Sequence, residues 1–323
     1  MRVIDLHQDL ILRLRSPILL GDYKMISNEE LLKRYSKYYQ LILSAVFTAQ
    51  PYDRHFHNLS FLDPFHEIIN QIMYYDHIIE QYPENLVKVV AKKDYENVKN
   101  DSSKTGFLYY VEGLYGVETV SDLEAIYKLG VRGFTLAWNH GNSLASGCKD
   151  NRDVGLTSKG EAIINFAKEK NMLIDLVHVG KKTAMDILEL TERNVFVSHT
   201  GLQHFVPNSR NIDDEIIQGI VERDGVIGLI FFRDFLEGEK CPKDPLECFF
   251  NHVSYLIDTY GYRYVAFGSD FYGIPPHRVV YSETKESFDI AGILDYLEKR
   301  LSKKELEAIA VKNFERLLLN ALE

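Results

Sequence analysis

Short apolar runs alternate with longer amphipathic stretches along the 323 residues of this chain. The runs are rich in Val, Ile, Leu and aromatic residues, as expected of strands buried on both faces of a parallel sheet. Eight of them predict strands, at residues 3–6, 41–48, 106–111, 133–137, 173–177, 195–198, 226–231 and 264–268. A ninth run, at residues 86–90, predicts an accessory or edge strand.

The stretches between these runs repeat their apolar residues at helical spacing. They predict helices at residues 62–82, 121–129, 157–170, 213–223, 245–260 and 288–301, and one or two closing helices at residues 303–322. Ser121, with Glu124 three residues later, has the pattern of a capping box at the start of the second helix. Eight strands alternating with helices favour an α/β fold of the (β/α)8 TIM-barrel type over an open doubly wound sheet. We expect one such domain over residues 1–323.

The composition excludes several functional classes. A formal net charge of −10 argues against a nucleic-acid partner, which would require a basic surface. The N-terminus lacks the features of a secretory leader, and no apolar stretch approaches the roughly 18 residues of a membrane helix, so we expect no membrane partner. No GxGxxG motif follows a predicted strand, which weakens the case for a dinucleotide cofactor.

The chain contains three cysteines, Cys148, Cys241 and Cys248. They cannot all pair within one chain, and no CxxC motif occurs. Neither a disulfide framework nor a thiolate zinc site is therefore expected, and a reducing cytoplasm is the location that we predict.

Possible metal ligands cluster at the ends of the predicted strands. They are His7, Asp9, Glu112, His178, His199 and Asp270. Because the C-terminal ends of barrel strands meet on one face, where active sites lie, we expect these side chains to lie together. Side-chain alternation along a strand points His7 and Asp9 in the same direction. Nitrogen and oxygen donors without a thiolate suit zinc, or a first-row relative such as manganese or cobalt.

Each of these residues alone also has an ordinary structural explanation. A histidine at a strand end is often a core or surface residue, and Glu112 or Asp270 would suit a turn. Only the joint pattern carries the metal hypothesis. The remaining histidines are expected to lie in loops or on helix surfaces: His55, His57, His66, His77, His204, His252 and His277.

The ordered motifs resemble those of the membrane-dipeptidase family, the renal dipeptidase-like peptidases M19 of the amidohydrolase-like barrels. The motifs are His7-Gln8-Asp9, Glu112-Gly113, residues 130–139, 155–180 and 197–201, Arg210-Asn211-Ile212 and residues 268–273. They occur in the family's order and span almost the whole chain. The resemblance implies a zinc-dependent dipeptidase in which a hydroxide that bridges two zinc ions attacks the peptide bond of a dipeptide. It also implies a homodimer.

The same resemblance implies individual roles. It assigns His7 and Asp9 to one zinc ion, His178 and His199 to the other, and Glu112 to both. Asp270 would be the catalytic residue that transfers protons near the bridging water, and Arg210 would bind the substrate carboxylate.

The chain departs from the family pattern at one position. The family often has a histidine after the fourth strand, where it contacts the substrate carbonyl. Trp138 takes this place in a gapless register, and His140 is expected to bind substrate there after a small shift of the loop. Other hypotheses stay open: a related barrel metallohydrolase acting on lactones or N-acyl amino acids, a deaminase, or an inactive ligand-binding barrel. The inactive barrel predicts the loss of a ligand, whereas all candidate ligands are present.

Overall fold

Nine parallel strands form one sheet in the computed structural model, which describes residues 1–15, 27–48, 63–239, 241, 244–281 and 290–322. They are β1 (Val3–Gln8), β2 (Tyr39–Phe47), β3 (Leu86–Lys88), β4 (Thr105–Glu112), β5 (Val131–Thr135), β6 (Leu173–Asp175), β7 (Val195–Thr200), β8 (Val226–Leu229) and β9 (Val265–Phe267). Strand β2 pairs with both β1 and β4, which closes eight strands into a barrel. Strand β3 pairs with β4 outside the barrel. The predicted (β/α)8 barrel and its accessory strand are confirmed.

Helices follow most strands and surround the barrel. They are α1 (Leu10–Arg15), α2 (Asn28–Tyr38), α3 (Pro64–Gln81), α4 (Lys92–Asn100), α5 (Val120–Lys128), α6 (Ser158–Glu169), α7 (Lys181–Leu190), α8 (Asp214–Glu222), α9 (Arg233–Leu236), α10 (Pro245–Tyr260), α11 (Ala291–Glu298), α12 (Lys303–Glu307) and α13 (Asn313–Ala321). A π-helical turn at Ala308–Lys312 joins the last two. In the part of the chain described, no helix is long and apolar enough to cross a membrane.

Every predicted helical stretch contains a helix, although residues 62 and 288–289 of the predictions lie outside the described residues. The predicted cap of α5 was wrong. Thr119 rather than Ser121 precedes the helix, accepts a hydrogen bond from the Asp122 amide, and forms a capping box with the Asp122 side chain. Helices α1, α2, α4, α7 and α9 were not predicted. In α4, for example, only Tyr95 and Val98 are buried, so its polar sequence has too few apolar residues to show a helical repeat.

The N-terminal end of the barrel is filled with apolar side chains. Ile4, Leu6 and Phe196 from the strands belong to one buried cluster with Phe314 and Leu317 of α13. Full burial of one such side chain contributes roughly 1.5–3 kcal/mol. The last helix therefore closes this end, and the opposite end of the barrel is left to carry a site.

Two buried aspartates connect strands beneath that opposite end. Asp5 of β1 accepts hydrogen bonds from the Ser269 amide at 2.9 Å and the Ser269 hydroxyl at 2.6 Å. Asp175 of β6 accepts from the Ser198 amide at 3.0 Å and from the Tyr110 hydroxyl at 2.7 Å. Burial raises the pKa of both carboxyl groups, and these hydrogen bonds oppose the rise. Asp5 thus fixes β1 to the segment after β9, and Asp175 fixes β6 to β7.

Candidate metal centre

Six ionisable side chains converge at the C-terminal end of the barrel. They are His7 in β1, Asp9 directly after it, Glu112 at the end of β4, His178 after β6, His199 in β7 and Asp270 after β9. Five of them are buried, and the side chain of Asp270 is only 14% exposed. The structure therefore brings together every residue that the sequence suggested as a metal ligand, together with Asp270.

Glu112 lies between two groups of these residues. We call His7, Asp9 and Asp270 the acidic half, and His178 and His199 the histidine half. Glu112 Oε2 lies 3.6 Å from His7 Nε2, whereas Glu112 Oε1 lies 2.8 Å from His178 Nε2 and 3.5 Å from His199 Nε2. The two oxygens of one carboxylate thus face different halves.

The acidic half is compact. His7 Nε2 lies 3.5 Å from Asp9 Oδ2 and 3.8 Å from Asp270 Oδ1. Burial lowers the pKa of His7, but the negative charges of Glu112, Asp9 and Asp270 outweigh it and raise this pKa to about 10. Burial also raises the pKa of Asp270 to about 8, with a further increase from the Asp9 carboxylate. Several carboxylates confined in one buried place require positive charge beside them.

In the histidine half, neighbouring residues fix the orientation of each ring. His178 Nδ1 lies 3.0 Å from the Asn139 side-chain oxygen, and His199 Nδ1 lies 2.8 Å from the Ser198 hydroxyl. The two Nε2 atoms face each other at 3.1 Å. Metal-ligating histidines commonly have their second nitrogen held in this way.

The pKa values of the histidines in this half shift in the opposite direction to that of His7 in the acidic half. Burial, followed by the positive charges of Arg210 and His7, lowers the pKa of His178 well below its ordinary value. Burial and the same two cations lower the pKa of His199 in the same way. Both rings are therefore neutral near pH 7, the state in which imidazole binds a metal.

The loops that carry the site include backbone conformations unusual for residues other than glycine. Asn139, His178 and Asp270 have φ values of 59°, 64° and 59°. Such conformations cost of the order of 1–3 kcal/mol each and cluster at functional sites. Gly273 is required for another reason, because a Cβ there would lie 2.1 Å from Asp9 Oδ2.

The residues present fit a divalent metal. Among the described residues, the buried atoms His7 Nδ1, His7 Nε2 and Asp9 Oδ1 have no hydrogen-bond partner, which is costly for buried polar atoms. The donor atoms form overlapping groups that each lie within 4.8 Å, among them His7-Asp9-Glu112 and Glu112-His178-His199. Imidazole nitrogen and carboxylate oxygen are donors that zinc accepts.

A cavity of about 160 Å³ lies over the cluster. Four candidate ligands line it, namely Asp9, Glu112, His178 and His199, together with Leu12, Phe47, Trp138, Asn139, Lys149, Arg210, Phe232, Phe235, Asp270, Gly273 and Ile274. Pockets for drug-sized ligands are about 300–1,000 Å³, so this cavity suits a small substrate. Its apolar walls with a few polar groups are typical of a binding site.

Arg210 is placed in this cavity and His140 is not. The Arg210 guanidinium lies 5.3 Å from the centre of the Phe235 ring and donates to the His199 carbonyl at 3.4 Å, and the residue is only 5% exposed. His140 has a side chain 53% exposed, with Nδ1 3.4 Å from Asp150 Oδ1. Trp138, two residues earlier, lines the cavity instead.

Sequence reasoning missed several supporting residues. Asp5 and Asp175 each interrupt an apolar strand run, a signal of a buried carboxylate that needs donors. Asn139 and Lys149 belong to a loop whose path the pattern did not indicate. The expectation of a surface position for His252 was wrong. This residue is fully buried on α10, where Nδ1 accepts a hydrogen bond from the Leu202 amide at 3.1 Å.

The other histidines lie away from the site where they are described. His66, His77, His204 and His277 are exposed, as expected. His55 and His57 lie outside the described residues.

Comparisons with known proteins agree with this arrangement. The family model for membrane dipeptidase (peptidase family M19) matches residues 1–322. Dipeptidase aclJ of Aspergillus oryzae is 26% identical over 256 residues, 78% of this chain and 60% of that protein. An uncharacterized dipeptidase of Schizosaccharomyces pombe is 28% identical over 214 residues, 65% of this chain and 51% of that protein. The chain thus matches little more than half the length of these curated relatives.

A solved structure shows the same fold. It is a metallopeptidase from Rhodobacter sphaeroides, liganded with a phosphinate mimic of the dipeptide L-Ala-D-Ala. Its TM-score is 0.83 at 18% identity, with 99% of each chain covered. At this identity the likeness concerns the fold alone.

Proposed function

The chain belongs to the membrane dipeptidase family, peptidase family M19, and on that premise we propose that it is a zinc-dependent dipeptidase with two metal ions. The observation that carries the proposal is the convergence of five candidate ligands and Asp270 beneath one small cavity. In an inactive barrel, nothing would compensate the cost of burying the nitrogens of His7 and Asp9 Oδ1 without hydrogen-bond partners among the described residues.

The ligands divide between the two ions as the halves do. His7 and Asp9 would hold one ion, His178 and His199 the other, and Glu112 both, because its two oxygens face different halves. When bound, the ions would lower the pKa of water from about 15.7 to roughly 7 and polarise the scissile carbonyl. This is the chemistry that peptide hydrolysis at neutral pH requires.

Asp270 would move the proton. Its carboxyl group lies beside the donor atoms, at 3.8 Å from His7 Nε2, and it also lines the cavity. It can therefore accept a proton from the attacking water and deliver it to the leaving amine, acting first as a base and then as an acid.

Arg210 would hold the substrate by its terminal carboxylate. The guanidinium is buried against Phe235 and fixed by the His199 carbonyl, so it is ready to form a bidentate pair. A carboxylate held this close to the histidine half places the adjoining peptide bond near the metals. Small substrates with a free C-terminus follow from that geometry, and dipeptides are the simplest of them.

The test is hydrolysis of a dipeptide panel by zinc-loaded protein. It includes L-Ala-D-Ala, L-Ala-L-Ala and the C-terminal amide of L-Ala-L-Ala, with metal-stripped protein as the control. We expect metal-dependent release of free amino acids from the acids and little from the amide.

The alternative outcomes separate the parts of the proposal. If the amide is cleaved as fast as the acid, Arg210 does not bind the substrate through its terminal carboxylate. No cleavage of any dipeptide by protein that carries about two metals, the content of a two-metal site, rejects the dipeptidase and directs the search to lactones and N-acyl amino acids.

A further inference from the structure

The cavity holds a second cation besides Arg210. Lys149 lies in the loop between β5 and α6, is exposed, and lines the same cavity. One carboxylate, the C-terminus of a dipeptide, already has Arg210 as its partner under the proposed function. The proposed function therefore assigns no role to Lys149.

The backbone at Lys149 is fixed to the histidine half. The Lys149 amide donates to the Asn139 carbonyl at 2.7 Å, and the Cys148 amide donates to the His178 carbonyl at 2.8 Å. The backbone of Lys149 is therefore held in place close to His178, while its long side chain is flexible.

The nearest acidic side chain in sequence does not neutralise Lys149. Asp150 directs Oδ2 to the amides of Gly141 and Gly147, both at 2.9 Å. The other oxygen of Asp150, Oδ1, lies 3.4 Å from His140 Nδ1, and within the described ranges Lys149 forms no ion pair with any carboxylate. The ammonium group is therefore able to attract a carboxylate that enters the cavity.

Lys149 and Arg210 act on the same side of the cavity. The Cys148 amide beside Lys149 donates to the His178 carbonyl, and the Arg210 guanidinium donates to the His199 carbonyl, so both cations belong to the histidine half of the cavity. A C-terminal residue held by Arg210 carries its side chain on the same carbon atom as its carboxylate. The side chain that Lys149 can reach is accordingly that of the C-terminal residue.

We propose that Lys149 is a specificity-determining residue, which selects dipeptides whose C-terminal residue carries a carboxylate side chain. Aspartyl and glutamyl residues are the class that this cation recognises. The proposal rests on the proposed dipeptidase function and adds to it a substrate preference.

The experiment compares L-Ala-Glu with L-Ala-Gln, which differ in charge but hardly in shape. Each is used with the L and the D form of its second residue, so that stereochemical preference does not hide the effect. kcat/KM is measured for wild type, Lys149→Met and Lys149→Arg. Lys128→Met is the matched control, because it removes the same charge from an exposed lysine on α5 that pairs with Glu124.

We expect wild type to favour the glutamyl substrate by about tenfold, the order of one charge-assisted contact in a partly solvated cavity. Lys149→Met should reduce this ratio to about one, mainly through KM, while Lys149→Arg and Lys128→Met keep it. Added salt should reduce the wild-type ratio, since the contact is partly screened.

The outcomes distinguish this inference from the proposed function. Cleavage of both substrates with the same ratio in wild type and Lys149→Met rejects the role of Lys149 and leaves the dipeptidase intact. A ratio that falls equally in Lys128→Met assigns the preference to overall charge and also rejects it. Failure of metal-loaded protein to cleave any of the dipeptides rejects the proposed function itself.

Discussion

The two halves of the metal centre reach similar geometry by different routes. In the histidine half, His178 and His199 lie 21 positions apart at the ends of the paired strands β6 and β7. In the acidic half, β1 and the segment after β9 are tied by Asp5 and Ser269, which are 264 positions apart. One half is local in sequence, and the other requires a closed barrel.

Their charges differ as much as their routes. His7 is surrounded by carboxylates that raise its pKa, whereas His178 and His199 have lowered pKa values from burial and nearby cations. Their supports also differ, since Asn139 and Ser198 orient the histidine rings, while both nitrogens of His7 lack a hydrogen-bond partner among the described residues. The candidate metal centre therefore combines one neutral part, whose rings are held by hydrogen bonds, with one charged part that lacks such support.

Glu112→Gln should break both halves at once and gives the largest expected effect. The amide would keep one oxygen but lose the negative charge shared between the halves. We expect metal content to fall from about two ions, the content of a two-metal site, and kcat/KM to fall by about 10³-fold or more, because several kcal/mol of metal assistance are lost. Metal analysis and dipeptide kinetics measure this. A variant with full metal content and full activity would show that Glu112 does not join the halves.

Asp270→Asn should separate chemistry from metal binding within the acidic half. The amide is nearly the same shape, so metal content should stay at the wild-type level. It cannot take up the proton, and we expect kcat to fall by about 10²-fold or more. Equal turnover in the variant would remove Asp270 from proton transfer.

Arg210→Met should weaken substrate binding beside the histidine half without changing metal binding. It removes the charged donors while keeping an apolar chain against Phe235. KM for substrates with a free carboxylate should rise by about 10- to 100-fold, the loss of a hydrogen bond to a charged group. Substrates with a C-terminal amide provide the control, because their KM should hardly change. A similar rise for acid and amide would contradict the carboxylate contact.

Asn139→Gly should loosen only the histidine half. Glycine adopts the φ of 59° without strain, so the variant removes the hydrogen bond to His178 and the one that the Cys148 thiol donates to the same oxygen at 3.7 Å. Loss of such support typically lowers metal affinity by about 10- to 100-fold, and we expect the lower end because Ser198 still orients His199. Metal competition titration should show one weakened ion and one unchanged ion. Asn139→Asp keeps an acceptor and should restore the affinity; equal weakening of both ions would argue against independent halves.

Acid should weaken the loop behind the histidine half, with the smallest effect of the series. His252 accepts a hydrogen bond from Leu202, and burial lowers its pKa to about 4. Because this value lies below the ordinary 6.5, the neutral ring stabilises the fold above pH 6.5, and that contribution is lost as pH falls towards 4. We expect a loss of about 1 kcal/mol between pH 7 and pH 5.5. Urea unfolding of wild type and His252→Gln across this range measures it, and identical slopes would exclude His252 as the cause.

The barrel could be predicted from the sequence because its strands are buried on both faces and read as apolar runs. The runs at residues 106–111 and 195–198 lie within β4 and β7, and the ligands at their ends follow from the rule that parallel strands end on one face. The end of each strand is marked by the position at which its apolar run stops, and this signal is local in the sequence. The same signals therefore located the six converging side chains.

The loops were harder to predict from the sequence, because their paths depend on contacts between distant segments. The position of Lys149 is set by the Asn139 carbonyl, and no periodicity indicates that hydrogen bond. The gapless register assigned Trp138 to the substrate position, and Trp138 does line the cavity, whereas the loop shift expected to bring His140 there is not seen, because His140 faces Asp150. His252 shows a signal that was available, since Phe249, Val253 and Leu256 form a buried stripe around it.

The tie between Asp5 and Ser269 has a consequence for how the protein is made. A ribosome adds about 5–20 residues per second, so His7 is synthesised many seconds before Asp270 exists. During that interval β6 and β7 can already pair, while β1 lacks the neighbour that completes its edge of the barrel. Pairing of β1 with β2 and of β2 with β4 can bring His7, Asp9 and Glu112 together early, whereas Asp270 reaches them only when β9 pairs with β1. The complete cluster of six side chains therefore forms only after β9 has been synthesised and has paired with β1.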